Sequence, residues 1–388
     1  MLSFLLVALA AAAVTAVASA ALLRLSRRFR LAPEVRERDV HRTPTPRLGG
    51  IAMFVGIIVG CLFATTQDDF STLFALSTQV WAILGACTLI AAVGVLDDLF
   101  DLDWMIKLAG QLAASGLLAW QGIQIVSLPF GDTQIVASAT MNFALTVFLM
   151  TLVMNAVNFI DGLDGLVAGF AIISNSAFFL YTQLLTDRSG ETPAVTLAGL
   201  IAAIVVGVCV GFLPFNWHRA KMFMGDTGAL LVGLLMATST VSVTGQLNPA
   251  VLDQKLVLAS YIPIILPVAV LALPLADFSL AVLRRLRAGQ SPFAADRKHL
   301  HHRLLDMGHS QVQAVSIFYL WTAVISLACL LVFTMRSFAL PFAVLFAGTA
   351  LCLVVTLVPA SRLRAGLARR GLLPLRAGKT PADERTPE

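Results

Sequence analysis

Long apolar segments recur throughout the sequence, and most of them could cross a lipid bilayer as a helix. The hydrocarbon core of a bilayer is about 30 Å thick, so a helix rising about 1.5 Å per residue needs about 20 residues to span it. Hydrophobic residues make up 58% of the chain and charged residues only 13%, which is far from the usual composition of a soluble domain. We therefore predict an all-α, polytopic integral membrane protein with about 11 transmembrane helices. The predicted spans are residues 1–23, 50–66, 79–96, 106–121, 141–158, 166–185, 194–215, 228–244, 256–283, 311–335 and 338–358.

Lysine and arginine residues are distributed very unevenly among the connections between these segments. The connections on one side of the predicted membrane contain 24 of them, and those on the other side contain 3. Since positively charged residues are retained on the cytoplasmic side, we expect the N-terminus outside and the C-terminus in the cytoplasm. The net charge of +5 then reflects orientation, and no nucleic-acid partner is expected. A signal peptide cleaved near Ala18-Ser19-Ala20 is the alternative for the first segment.

The sequence predicts one membrane domain followed by a tail. Residues 1–358 form a single predicted transmembrane domain. Residues 359–388 contain four prolines among arginine, alanine and glycine, and are predicted to be a disordered cytoplasmic tail. The five cysteines lie in apolar runs without CxxC spacing, which is typical of small buried side chains rather than of disulfides or zinc ligands. The cytoplasmic connections with candidate functional residues are 24–50, 97–107, 159–165, 216–227 and 284–310.

Aspartate and asparagine residues are concentrated at the cytoplasmic ends of the predicted helices. Polar and ionisable side chains at membrane depth are costly and usually mark a functional site. Two carboxylates about 5 Å apart repel by roughly 3 kcal/mol at an effective dielectric constant of 20, so a converging set needs a cation. Oxygen ligands suit Mg²⁺, which takes one or two carboxylates and leaves positions for water and phosphate. The stretches are Asp97-Asp98 with Lys107, Asn155 to Gly165, and Phe223 to Gly228 with Asp226.

Each of these stretches also has a simpler interpretation. Asp97 and Asp98 could form a solvated cluster at the membrane surface. Asn155 and Asn158 could hydrogen-bond to a neighbouring helix, and Asp226 could only cap the helix that follows it. These interpretations do not explain why the carboxylates collect on one face, so a binding or catalytic site is the preferred hypothesis.

Three histidines lie in the longest cytoplasmic connection, at positions 299, 301 and 302. Zinc binding is one alternative, but the spacing gives only one i, i+3 pair and no cysteine lies nearby. Arginine and lysine residues flank the histidines, which favours contact with phosphate groups. A solvated loop is the remaining alternative.

Together, five stretches of the sequence resemble the motifs of one enzyme family. They are His41 to Gly50, Asp97-Asp98 with Lys107, Asn155 to Gly165, Phe223 to Gly228, and His299 to His302. The family is that of the polyprenyl-phosphate N-acetylhexosamine-1-phosphate transferases, glycosyltransferase family 4. The sequence is similar to its WecA- and TagO-like branch, with the MraY translocase as a more distant relative.

The resemblance implies that undecaprenyl phosphate attacks the β-phosphate of UDP-GlcNAc. The products would be undecaprenyl-diphospho-GlcNAc and UMP, in the step that initiates lipid-linked glycan synthesis for the cell envelope. Mg²⁺ would be the cofactor, with Mn²⁺ as a substitute. Residues 1–358 would form one catalytic domain in the bacterial plasma (inner) membrane, with its active site on the cytoplasmic face. A homodimer is a further expectation.

The resemblance also implies roles for individual residues. The metal ligands would be Asp226 and Asn158. The catalytic residues, which would hold or deprotonate the lipid phosphate and contact the diphosphate, would be Asp97, Asp98, Asp161 and Lys107. Direct displacement and a covalent route through an aspartate nucleophile both fit this set. The substrate-binding residues would be Asn155, Gly162, Asp164, Phe223, His299, His301, His302 and Arg303.

The choice of sugar depends on the histidine stretch. Its order, His-Leu-His-His, resembles the WecA-like branch, whereas the MraY-like branch has three consecutive histidines. This favours UDP-GlcNAc over UDP-MurNAc-pentapeptide, and another UDP-N-acetylhexosamine is an alternative. An ion-coupled transporter would instead place polar groups near the membrane midplane. An intramembrane aspartyl protease would need glycine at the position of Phe223.

Overall fold

The computed structural model describes a helical bundle of the kind that the sequence predicts. It describes residues 1–29, 44–125, 128–130, 133–135, 138–189, 192–244, 269, 271–287, 289, 300–335 and 337–358. The helices in these ranges are α1 (Leu2–Phe29), α2 (Gly49–Ala64), α3 (Ser71–Leu76), α4 (Gln79–Phe100), α5 (Trp104–Trp120), α6 (Ala139–Ile160), α7 (Leu166–Ser189), α8 (Pro193–Asn216), α9 (Gly225–Thr244), α10 (Ala272–Arg287), α11 (Leu300–Asp306), α12 (Gln311–Thr334) and α13 (Ala339–Leu357).

Eight of the described helices are long and apolar enough to cross a membrane. The number rises to nine if Gly49–Ala64 and Asp68–Ala75, which are bent by 91° relative to each other, form one span. Helix α5 has 17 residues, one more than the predicted span 106–121, and at about 26 Å it is not among these eight. The predicted span 256–283 lies mostly outside the described residues. The polytopic helical class is therefore confirmed, while the count of 11 and the orientation of the termini stay predictions.

A short hairpin is the one departure from helical structure in the described part of the chain, and the all-α prediction did not include it. Strand β1 (Leu128–Phe130) pairs antiparallel with β2 (Thr133–Ile135), with Leu128 opposite Ile135. The hairpin lies between α5 and α6, at the end of the bundle opposite Asp97 and Asp226.

Helices α8 and α9 form the centre of the bundle. In each of them 89% of the membrane-length segment is buried, against 22% in α1 and 11% in α13. Helix α1 packs on α8 and α2, while α4 and α6 pack on α9. The outer helices expose large apolar side chains, such as Phe346 at 74%, as expected for surfaces that face lipid. All five cysteines are free and four of them are buried, so the prediction of small buried side chains is confirmed for these four.

The segment before α2 is joined by its backbone to the segment before α9. Phe223 N donates to Pro46 O at 2.9 Å, and Gly49 N donates back to Phe223 O at 3.0 Å. A third bond runs from Gly50 N to Met224 O at 2.9 Å. These bonds bring two of the five predicted motifs together, although residues 30–43 and the tail after residue 358 lie outside the described residues.

Candidate active site

Four of the predicted site residues meet where the ends of four helices converge. Lys107, at the start of α5, places its Nζ 3.1 Å from Asp97 Oδ2 on α4 and 3.2 Å from Asp226 Oδ2 on α9. The amide of Asn158, on α6, hydrogen-bonds to Asp226. The chain thus brings together the carboxylates, the amide and the cation that the sequence separates by up to 129 positions.

The carboxyl groups of Asp97 and Asp226 are also in direct contact, within hydrogen-bonding distance of each other. Two carboxylates at that separation must share a proton or a cation, since each disfavours the charge of the other. The side chain of Asp97 is only 7% exposed, whereas those of Asp226 and Lys107 are 31% and 28% exposed. The solvent-accessible groups of the cluster are therefore Asp226 and Lys107. Asp97 lies beneath them, and its other oxygen accepts from Leu102 N at 2.9 Å.

Asp98 has different partners from its neighbour Asp97. Its Oδ1 accepts from Asp226 N at 3.0 Å, and its Oδ2 accepts from Thr227 N at 3.2 Å and from Thr227 Oγ1 at 2.8 Å. A carboxylate at a helix N-terminus satisfies free backbone N–H groups and complements the helix dipole. Asp98 therefore caps α9 from another helix and fixes the backbone of Asp226. Its role in the reaction stays a prediction, although this geometry favours positioning.

The close approach of Asp98 requires glycine at position 225. Gly225 has a φ of +70°, and a Cβ there would lie 2.7 Å from Asp98 Oδ1. An L-residue at this position would meet both the left-handed backbone penalty and the carboxylate.

We expect Thr227→Val to destabilise the protein by about 1.5–3 kcal/mol, the usual cost of losing a hydrogen bond to a charged group. Thr227 is 1% exposed, so water cannot readily replace its hydroxyl. Turnover should fall as well, because Asp226 depends on the same helix terminus. Thermal unfolding of Thr227→Val beside Thr227→Ser measures the effect. Equal melting temperatures for the two variants would contradict the capping role of this hydroxyl.

Asp161 lies just after α6 and is partly exposed. Burial, together with the negative charges of Asp226 and Asp98, raises its pKa to about 7, and Arg47 opposes this shift. Asp161 thus belongs to the same electrostatic cluster. Arg47, from the motif before α2, contributes a positive charge to it.

The side-chain amide of Asn155 contacts helix α5 and its own helix rather than Asp97 or Asp226. Its Nδ2 donates to Gln111 Oε1 on α5 and to Thr151 O at 2.8 Å. Both amide hydrogens are therefore used within the bundle, and only the carbonyl oxygen could contact a substrate. The predicted substrate contact of Asn155 stays a prediction.

Asp164 is 4% exposed and holds the loop between α8 and α9. Its Oδ2 accepts from Ala220 N at 3.1 Å and lies 3.3 Å from His218 Nδ1. Asn216 reinforces this contact, because its side chain bridges Gly165 N and Met222 O at 2.9 and 3.1 Å. The loop that leads to Phe223 is therefore tied to the turn that contains Asp164.

The other predicted substrate-binding residues are less closely defined. Gly162 and Phe223 are partly exposed, and Arg303 on α11 is exposed. His299 and the side chains of His301 and His302 lie outside the described residues, so their proximity to the carboxylates stays a prediction. The N-terminus of α11 is held by Asp277, whose Oδ1 accepts from Leu300 N at 2.8 Å.

The donor set fits Mg²⁺, with part of the coordination left to other ligands. Within the described ranges, no group of three Asp, Glu, His or Cys side chains is arranged to hold a metal ion. Mg²⁺ commonly takes one or two protein carboxylates and completes its octahedron with water and substrate phosphate. Asp226, with the carbonyl oxygen of Asn158 beside it, would supply such a partial set, and the contact between Asp97 and Asp226 marks a position where a cation reduces repulsion.

Sequence reasoning missed Thr227, Asn216 and Gln111. Thr227 adjoins a predicted ligand, and Asn216 opens the stretch that contains Asp226, so proximity to a motif was their only signal. Gln111 gave a clearer one, because it is a lone amide in an apolar segment, one helical turn after Lys107.

Comparison with known proteins agrees with these motifs. The model of glycosyl transferase family 4 matches residues 80–244. The chain is 39% identical over 367 residues to the decaprenyl-phosphate N-acetylglucosaminephosphotransferase of Mycobacterium tuberculosis (strain ATCC 25618 / H37Rv), covering 92% of this chain and 89% of the relative.

Two further relatives match a shorter part of the chain. A probable undecaprenyl-phosphate N-acetylglucosaminyl 1-phosphate transferase of Bacillus subtilis (strain 168) is 32% identical over 295 residues, 76% of this chain and 75% of the relative. The undecaprenyl-phosphate alpha-N-acetylglucosaminyl 1-phosphate transferase of Escherichia coli (strain K12) is 27% identical over 299 residues, 76% of this chain and 74% of the relative. The chain therefore belongs to glycosyl transferase family 4, among the polyprenyl-phosphate N-acetylglucosamine-1-phosphate transferases.

Proposed function

We propose that this protein transfers N-acetylglucosamine-1-phosphate from UDP-GlcNAc to a polyprenyl phosphate. The products are polyprenyl-diphospho-GlcNAc and UMP. The observation that carries the proposal is the position of Lys107 between Asp97 and Asp226 at one end of a membrane bundle. A lysine beside two carboxylates at the membrane surface suits a reaction between a lipid phosphate and a soluble nucleotide diphosphate, where charge neutralisation is the main requirement.

The reaction is a displacement at phosphorus. An oxygen of the polyprenyl phosphate forms a bond to the β-phosphorus of UDP-GlcNAc. The bond between that phosphorus and the bridging oxygen breaks, and UMP leaves with this oxygen. Lys107 neutralises phosphate charge, while Asp97 orients its ammonium group. A direct attack needs only proximity and charge neutralisation, and a covalent route through an aspartate nucleophile uses the same residues.

Mg²⁺ is the cofactor in this proposal, with Mn²⁺ as a substitute. When bound, the ion supplies Lewis-acid polarisation of phosphoryl oxygens. Asp226 and Asn158 would hold it, because Asn158 already contacts Asp226. Asp161 adds negative charge on the same side of the cluster.

The acceptor and the compartment follow from the same reasoning. Undecaprenyl phosphate is the expected acceptor, and the relative with 39% identity is named for decaprenyl phosphate, so both chain lengths belong in a test. The uneven lysine and arginine distribution supports an active site on the cytoplasmic face of a bacterial plasma membrane. The product would start a lipid-linked glycan of the cell envelope. The homodimer stays a prediction that the mass of the purified protein can test.

Release of UMP tests the proposal directly. Purified protein is incubated with Mg²⁺, undecaprenyl or decaprenyl phosphate, and UDP-GlcNAc, UDP-GalNAc or UDP-MurNAc-pentapeptide. We expect UMP only when acceptor and donor are both present, with UDP-GlcNAc the preferred donor, and we expect chelation with EDTA to stop the reaction. A folded protein that releases no UMP with any pair would overturn the transferase assignment, and a different preferred donor would overturn the choice of sugar.

We expect His301→Ala to raise the KM for UDP-GlcNAc by about tenfold, which corresponds to about 1.4 kcal/mol of lost binding. An imidazole beside arginine suits phosphate contact, and α11 is anchored by Asp277. The KM for polyprenyl phosphate should change little. Asp306→Ala, at an exposed position of the same helix, is the matched control. If both variants had the same KM and kcat for UDP-GlcNAc as the parent protein, the histidine stretch would be a solvated loop without a role in donor binding.

A further inference from the structure

A row of polar contacts joins α5 and α6 beneath the active site, and we call it the polar ladder. Its first rung is Asp226, which contacts both Lys107 and Asn158. Its second rung is the hydrogen bond from Asn155 Nδ2 to Gln111 Oε1. Its third rung is the contact between Ser115 Oγ and Thr151 Oγ1 at 3.4 Å.

The rungs follow the periodicity of the two helices. On α5 the rung residues Lys107, Gln111 and Ser115 are each four positions apart, so they lie on one face. On α6 the corresponding residues Asn158, Asn155 and Thr151 are spaced by three and four positions, again on one face. The two faces meet along their length, and the row leads from the catalytic cluster into the bundle.

The middle rung is buried at its Gln111 end and partly buried at Asn155. Gln111 is 3% exposed, and the next rung is equally inaccessible, with Ser115 at 0% and Thr151 at 8%. A buried amide without a partner is costly, so α5 and α6 must keep the rotation and register that satisfy Gln111 and Asn155. Polar pairs between membrane helices can fix the helix interface in this way.

This register determines the position of the first rung. Lys107 is one helical turn from Gln111, and Asn158 is three residues from Asn155, so both move with the amide pair. Lys107 and Asn158 approach Asp226 from two different helices. A rotation of α5 against α6 would therefore separate at least one of them from Asp226.

We propose that Gln111 is a positioning residue for the phosphosugar transfer, because it locks α5 to α6 so that Lys107 and Asn158 both reach Asp226. This inference rests on the proposed function. Gln111 itself touches neither the carboxylates nor, by its depth, the substrates. It acts through Asn155, and its loss affects the geometry of the reacting groups more than the affinity for the donor.

The test uses a single change and its compensation in the full-length protein. Gln111→Asn shortens the side chain by one methylene and withdraws its oxygen from Asn155. We expect kcat to fall about 10- to 100-fold while the KM for UDP-GlcNAc stays within about threefold. The double variant Gln111→Asn with Asn155→Gln returns an amide pair of the original combined length, and we expect it to recover the response of the melting temperature to Mg²⁺, which does not depend on substrate binding. Gln111→Leu, which cannot form the pair, should be at least as impaired as Gln111→Asn.

A second readout does not depend on turnover. Mg²⁺ should raise the melting temperature of the parent protein, and Gln111→Asn should need a several-fold higher Mg²⁺ concentration for the same rise. The control is Asn175→Leu on α7, which removes a buried amide (2% exposed) whose hydrogen bond within the described part of the chain is to Ala171 O of its own helix. We expect this variant to lose stability without a change in Mg²⁺ response.

The outcomes separate the inference from the proposed function. If the parent protein releases no UMP, the proposed function fails. If the parent protein turns over and Gln111→Asn matches it in kcat and in Mg²⁺ response, the positioning role is wrong. The same conclusion follows if a folded double variant does not recover the Mg²⁺ response, or if Asn175→Leu changes kcat and the Mg²⁺ response as strongly as Gln111→Asn does.

Discussion

Replacing Asp226 with asparagine is expected to lower kcat by about 1,000-fold or more, or about 4 kcal/mol of transition-state stabilisation. Asp226 is the group on which the cluster converges. Lys107 reaches it at 3.2 Å, Asn158 hydrogen-bonds to it, and Asp97 is in contact with it. Asparagine preserves the shape but removes the charge that would hold a divalent cation. The change is measured as UMP release at saturating donor and acceptor across a range of Mg²⁺ concentrations.

The control for this variant is Asp187→Asn, an exposed aspartate in the last turns of α7, at the opposite end of the bundle from the cluster. It removes one negative charge from the protein without altering the site, so its turnover should equal that of the parent protein. Asp226→Asn should also lose the rise in melting temperature caused by Mg²⁺, since that rise reports binding to the native state. Near-normal activity, or an unchanged Mg²⁺ response, would mean that another residue holds the metal.

The location of the site was predictable because its residues lie at the ends of their helices. Asp97 ends an apolar helix, Lys107 begins the next, Asn158 ends a third and Asp226 begins a fourth. Charged groups at membrane depth are costly and usually mark a functional site. Consecutive helices cross the membrane in alternate directions, so the end of one lies on the same side as the start of the next. Side-chain chemistry and helix order were therefore enough to predict that these groups lie at one end of the bundle.

The separate contacts that each residue makes within the site could not be predicted in the same way. Asp97 and Asp98 are adjacent and chemically identical, yet one faces Lys107 and the other caps α9. Their assignment depends on the rotation of α4 against α9, which no local pattern specifies. Asp164 is a similar case, because its carboxylate contacts a backbone N–H that lies 56 positions away in the chain.

The number of spans stays a prediction for a different physical reason. Hydropathy measures whether a segment tolerates lipid, and it does not measure where a helix begins. Helix α5 starts at Trp104 with Asp103 as its N-cap, two residues before the predicted span. Its 17 residues give about 26 Å, less than a hydrocarbon core of about 30 Å. Helix α2 ends at Ala64, close to the predicted end at residue 66, and the next helical segment is bent by 91° relative to it. Hydropathy alone does not decide whether the two segments form one span.

Replacing Lys107 with methionine is expected to lower kcat/KM by about 10²- to 10³-fold, the usual effect of removing one charge-stabilising group. Methionine has a similar length, so packing is largely retained and the loss reports the charge. Without the ammonium group, the carboxylates of Asp97 and Asp226 remain in contact, and Asp97 is only 7% exposed. Their repulsion should destabilise the protein in EDTA, and Mg²⁺ should restore stability more strongly than in the parent protein.

Lys107→Arg separates charge from shape in this experiment. If the site needs only a positive charge, arginine should recover the stability lost in EDTA, because it remains charged and can contact two carboxylates. Turnover should recover only in part, since the planar guanidinium cannot take the position from which Nζ reaches Asp97 and Asp226 at once. Full activity in Lys107→Met would contradict any role of this cation in catalysis. Equal stability of Lys107→Met and the parent protein in EDTA would show that protonation of the carboxyl pair, rather than the lysine, offsets their repulsion.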